Sequence, residues 1–151
     1  MNRRLKQAGI IFVVVLAAAQ LVRPERANPV IDPSRTIQAH VGTASGLVAV
    51  LDRACGDCHS NRTAPHWYTK VAPMSWLMAY GVAEGRKAVN FSEWAAYSPR
   101  QQETLLSASC QDVMTGKMPG PLYTTLHPEA RLSARDVETI CAAAHQAQGA
   151  K

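Results

Sequence analysis

An all-α fold is what the sequence predicts, on three observations. Apolar residues recur at helical spacing in separate stretches around 47–51, 76–80, 105–114 and 137–144, and no run alternates with the two-residue period of a strand. Helix punctuation brackets these stretches: Ser98-Pro99 as a start, Gly116 as a stop, Ser133 as a second start. A five-residue motif, Cys55-Gly56-Asp57-Cys58-His59, closes the first stripe and marks where the helices would converge.

The chain of 151 residues opens with a cationic leader, Met1 to Lys6, then an unbroken apolar run from Ala8 to Ala19 that Leu21 and Val22 extend. Positive charge before such a run keeps the N-terminus cytoplasmic and sends the downstream chain across the membrane. The run is short against the roughly 20 residues of a bilayer span, and Ala17-Ala18-Ala19 also suits a cleavage site. Continued apolar character, with Arg23 and Arg26 beyond it, favours a retained single-pass anchor over residues 1–22, a secretory signal being the alternative. Either one puts the remaining domain outside the cytoplasm. Residues 23–41, with Pro24, Pro29 and Pro33, read as an extended linker, and residues 42–151 as one domain.

Within that domain, the pattern turns helical from Thr43, with Leu47, Val48, Val50 and Leu51 leading into Cys55; Ser60 to His66 is a polar turn. Val71 to Val89 forms the next helix, with Pro73 in its first turn and Trp76, Leu77 and Tyr80 on one face. Seven of the nine aromatic residues fall between Trp67 and Tyr97 and read as core or as the walls of a flat apolar cofactor. Ser92 would cap a short turn containing Trp94. A helix from Ser98 to about Thr115 turns Leu105, Leu106, Cys110, Val113 and Met114 inward. After a loop from Lys117 to His127, the last helix starts at Ser133, where Asp136 completes a capping box, and buries Val137, Ile140, Cys141 and Ala144.

The net charge of +5 is uninformative about partners. Taking Arg3, Arg4 and Lys6 from the 16 basic residues leaves 13 against 11 acidic ones, and no basic patch is interleaved with aromatics, so nucleic acid is not an expected partner.

The chemistry sits in the motif. Two thiols two residues apart followed at once by histidine form the c-type haem attachment signature: Cys55 and Cys58 add across the haem vinyl groups, and His59 is an axial ligand to iron. A dithiol redox pair would be expected beside a βαβ pattern. A structural zinc site needs four ligands, and the other cysteines, Cys110 and Cys141, are single and far apart.

For the opposite face of the iron, Met118 is the favoured ligand: it lies in a loop just beyond a helix, followed by Pro119. Met114 reads as core packing, and Met74 and Met78 as packing groups on the aromatic helix. His127 is the rival, as a second ligand or as the distal acid/base group of a haem enzyme or gas sensor. His66 is too near the motif to cross the ring, His40 belongs to the linker and His145 to the C-terminus. No acid/base constellation gathers round His127 beyond Glu129, so an enzyme is not expected. A His/Met pair raises the reduction potential and suits electron transfer with redox partner proteins. Arg86, Lys87 and Lys117 are candidates for propionate contact or partner docking, a solvated surface role being the more expected for each. Cys110 and Cys141 suit a disulfide in an oxidising compartment, with two buried free thiols as the alternative.

Beyond these residues, the segments Cys55 to Asn61, Val71 to Trp76, Gly85-Arg86 with Asn90 to Trp94, Gly116 to Pro119, His127 to Ser133 and Ile140-Cys141 resemble a bacterial family of exported haem-binding domains, as does the opening from Arg23 to Pro29. The resemblance covers nearly the whole chain. It implies a small membrane-anchored monohaem c-type cytochrome of cytochrome-c-like fold, with one covalent haem c, in the inner membrane with its haem domain periplasmic. It also strengthens the Cys110–Cys141 disulfide, since the family carries cysteines there. One departure is His66-Trp67-Tyr68, where the family tends to have Trp-Pro before the tyrosine.

Overall fold

In the computed structural model, which describes residues 2–25, 27–41 and 46–149, the described residues form helices and connecting turns with no strand. The order is α1 (Arg3–Ala19), a 3-10 turn at Pro33–Arg35, α2 (Ile37–Val41), α3 (Gly46–Ala54) and α4 (Gly56–His59). A 3-10 turn at Trp67–Lys70 leads to α5 (Met74–Ala88), and another at Phe91–Ala96 to α6 (Pro99–Met114). Then come α7 (Pro121–Leu126), a 3-10 turn at Pro128–Ala130 and α8 (Ala134–Gly149). Thr43, the expected start of the first domain helix, and Arg26 lie outside the described residues.

The core joins Leu47, Val50 and Leu51 of α3 to Leu106 and Val113 of α6 and to Ile140 and Ala144 of α8, with Phe91 and Trp94 from the intervening turn. α8 packs along α6 and against α3, and Cys110 and Cys141 join α6 to α8 as a disulfide. Both long helices begin as local sequence dictates. Ser98 and Gln101 form a reciprocal capping box ahead of α6, and Ser133 and Asp136 do the same for α8, with Asp136 accepting from both the backbone and the hydroxyl of Ser133. Gly116, at φ +70°, turns the chain out of α6 in the left-handed region that glycine tolerates best.

Four expectations need correction. The anchor over residues 1–22 finds no support: α1 has 17 residues with Arg3, Arg4 and Lys6 in its opening turns, and no helix among the described residues is long and apolar enough to cross a membrane. Residues 33–41 are not spacer. Ile37 is wholly buried in the core, Arg35 pairs with Glu93 at 2.9 Å, and apolar burial outweighs the extended preference of the nearby prolines.

The face of Trp76, Leu77 and Tyr80 is turned outward, because α5 buries Ser75 and Gly85 instead. Small residues let that helix approach α4 closely. Met114 is also outward, 70 % exposed. Adjacent helical positions lie about 100° apart, and Val113 takes the inward one.

Candidate haem site

α3 delivers the motif. Its buried stripe ends at Ala54, and Gly56–His59 continue as a single turn whose backbone starts from Cys55. Cys58 and His59 both donate their N–H groups to the Cys55 carbonyl, at 3.2 and 2.9 Å. Cys55 and Cys58 are free thiols, half-buried, and the only described cysteines outside the disulfide. Burial, reinforced by the neighbouring Cys58, pushes the Cys55 thiol up to about 12; burial, with Asp57 beside it, also pushes Cys58 up.

His59 is oriented from behind. Its Nδ1 lies 3.2 Å from the Val89 carbonyl, at the end of α5. A carbonyl only accepts, so Nδ1 carries the proton and Nε2 keeps its lone pair. Phe91 flanks the imidazole, with ring centroids 6.0 Å apart, and Trp94 and Tyr97 extend the aromatic support. Burial lowers the His59 pKa, opposed by the Val89 carbonyl, which favours the neutral imidazole a metal requires.

α5 comes near enough to do this because of Gly85. A Cβ there would stand 2.5 Å from the Cys58 carbonyl oxygen. The loop beyond the motif is then fastened to the turn after α5. The Asn61 N–H donates to Ser92 Oγ at 3.0 Å, and Asn90 Nδ2 to Asn61 Oδ1 at 2.8 Å. Asn90, not Ser92, caps that turn, because the turn starts at Phe91 and Ser92 lies inside it, donating its backbone N–H to Asn90 Oδ1.

Arg86 is not a freely solvated cation. It donates to Ser60 O, Ala27 O, Asn28 Oδ1 and Thr63 Oγ1, tying the loop to the stretch before α2. Lys87 pairs with Glu84 at 2.6 Å and Lys117 with Asp112 at 3.0 Å, both exposed.

The candidates for the far side of the iron separate clearly. His127 is 5 % exposed, with Nε2 bonded to the Tyr68 hydroxyl and Nδ1 2.9 Å from Glu129 Oε1. Both ring nitrogens are engaged. Met118 is 41 % exposed, in a loop pinned by N–H bonds from Lys117 and Met118 to the Asp112 carbonyl at 2.9 and 3.1 Å. No described contact joins Met118 to His59. Met114, Met118, Leu122 and Leu126 form a run of exposed apolar side chains from the end of α6 through α7.

The donors fit a haem bound through two thioethers and an axial imidazole: two free thiols precede a histidine whose Nδ1 is held by the Val89 carbonyl. Sequence reasoning missed the groups that hold this arrangement. The Val89 contact uses a backbone carbonyl, and Asp57 occupies a spacer position of the motif. Gly85 left the one usable signal, a glycine deep inside a helical pattern.

Residues 14–146 match the model of a haem-binding domain family. The chain belongs to that family. No curated protein and no solved structure matches it. As a haem-binding domain, it has in the Cys55–His59 turn the one described segment that offers both thiols and an oriented imidazole.

Proposed function

We propose that this haem-binding domain is a monohaem c-type cytochrome that carries electrons outside the cytoplasm, with Cys55 and Cys58 bonded to the porphyrin and His59 and Met118 on the iron. The observation that carries the reading is the His59–Val89 contact. It is the hydrogen bond that metal-ligating histidines characteristically make from their second nitrogen, fixing both tautomer and ring direction.

Haem in such a site supplies a one-electron carrier, and two axial side chains leave no coordination position for substrate. The protein's part is to attach, orient and shield. Met118 is the better partner because it stands in an exposed loop, whereas His127 is buried in a cluster with Asp57 and His66. The exposed apolar side chains from Met114 to Leu126 offer a wall of the kind a porphyrin covers. The cationic leader and the apolar run after it serve in this reading as the export signal. The chain just beyond it is docked: Gln20 exchanges two hydrogen bonds with the Ala72 backbone, and the Trp76 indole donates to Val22 O at 2.8 Å.

The test is to produce the full chain in a bacterium with the periplasmic haem-ligation machinery. Haem that survives denaturing electrophoresis in the parent, and is lost in Cys55→Ala/Cys58→Ala, is the expected result. Colourless, folded protein from the same cells would overturn the reading. The mass of the membrane-fraction protein reports whether residues 1–19 remain attached.

A further inference from the structure

We infer that Asp57, His66 and His127 form a second metal site, for a divalent cation of the zinc class, separate from the haem-binding groups. One ligand atom from each of the three lies within 4.8 Å of the others. They come from three parts of the chain: the motif turn α4, the loop after it, and the junction between α7 and the turn at Pro128–Ala130.

The donor chemistry is that of a zinc site, two imidazoles and one carboxylate. His127 is arranged like a ligand with its outer partner in place. Glu129 accepts the Nδ1 proton at 2.9 Å, so Nε2 faces inward as a lone pair, where the Tyr68 hydroxyl donates to it. A carboxylate behind the second nitrogen of a histidine is the usual support of a zinc-bound imidazole. Across the cluster, His66 Nε2 and Asp57 Oδ2 are 2.6 Å apart, and the Tyr123 hydroxyl donates to the same oxygen at 2.9 Å.

Ring packing holds the imidazoles in place: His127 lies edge-on to His66, with centroids 4.3 Å apart, and stacks on Tyr123 at 4.4 Å. Zinc bonds of roughly 2.0–2.1 Å at tetrahedral angles set ligand atoms about 3.3 Å apart. The His66–Asp57 pair therefore needs to open by only about 0.7 Å, with the cation taking the place of the proton between them. Either tyrosine hydroxyl, or water, completes the four-coordinate shell. The cluster uses none of Cys55, Cys58, His59 and Met118, and the inference rests on the proposed function only in that His127 stays off the iron. A cation there would cross-link the Cys55–His59 turn to the segment after α7.

The experiment is zinc binding by the haem-loaded full chain after chelator treatment, read by equilibrium dialysis with elemental analysis, so that zinc is counted apart from haem iron. The expected result is one zinc per chain, lost in His66→Ala, about 10-fold weaker in Glu129→Gln and unchanged in His145→Ala. Zinc should also raise the thermal unfolding midpoint of the parent and not of His66→Ala. Glu129 has a largely exposed side chain, so its variant keeps the test open if His66→Ala folds poorly. No stoichiometric zinc in the parent, or binding that neither His66→Ala nor Glu129→Gln weakens, would overturn the site and leave the cluster a hydrogen-bond network.

Discussion

Gly85 and Cys58 are in backbone contact: the position a Cβ would take at Gly85 is 2.5 Å from the Cys58 carbonyl oxygen and 2.9 Å from its carbon. The obstacle is backbone, not a flexible side-chain tip, so a methyl group there must push α4 and α5 apart. That separation would carry Val89, the partner of His59 Nδ1, away from the imidazole.

Gly85→Ala is therefore expected to lower stability by about 1–3 kcal/mol and to reduce the haem retained per chain. Thermal unfolding and the ratio of haem to protein absorbance check it. An unaltered ratio together with unaltered stability would contradict the close packing.

Removing the Cys110–Cys141 bridge, which closes a loop of 31 residues, should cost about 3–4 kcal/mol by the entropy released to the unfolded chain. Because α6 and α8 also share apolar packing, Cys110→Ser/Cys141→Ser should still fold. Denaturant unfolding of the double variant, beside the parent with and without reductant, measures the loss.

What the sequence made legible was what is encoded locally. The stripe from Leu47 to Leu51, the helix start at Ser98-Pro99 and the Ser133–Asp136 capping pair depend on neighbours within a turn or two, and all three were readable. Ile37 was not, because its burial is decided by helices far along the chain. α7 was hidden for another reason: six residues opening with Pro121 look like a loop until the helix is seen. At the site, the motif announced Cys55, Cys58 and His59, whereas Asp57 gave no signal. Its partners His66 and Tyr123 stand 9 and 66 positions away, and only the fold brings them together.

The cap of α8 carries a pH dependence. Hydrogen bonds from the Ser133 backbone and hydroxyl, with Arg53 at 2.9 Å, hold the Asp136 carboxyl below its ordinary value of 3.8. A depressed carboxyl stabilises the fold fully above the unfolded value, and the contribution disappears as pH falls through the folded one. Asp136→Asn should cost about 0.5 kcal/mol near pH 7, the site being at the surface, and the difference should close toward pH 3. Parallel urea titrations across that range test the sign; a gap that widened on acidification would refute it.

Met118 and His127 make opposite predictions at the iron. If Met118 is the ligand, Met118→Ala should abolish the weak red absorbance of thioether bound to ferric iron, open the reduced protein to carbon monoxide, and lower the reduction potential by on the order of 100 mV. His127→Ala should leave that absorbance in place, since its nitrogens serve Tyr68 and Glu129. It should still destabilise the fold by about 1–3 kcal/mol, by leaving the buried Tyr68 hydroxyl without its acceptor. Optical spectra of the two ferric variants side by side settle the assignment. A red band that survived Met118→Ala and vanished in His127→Ala would reverse it.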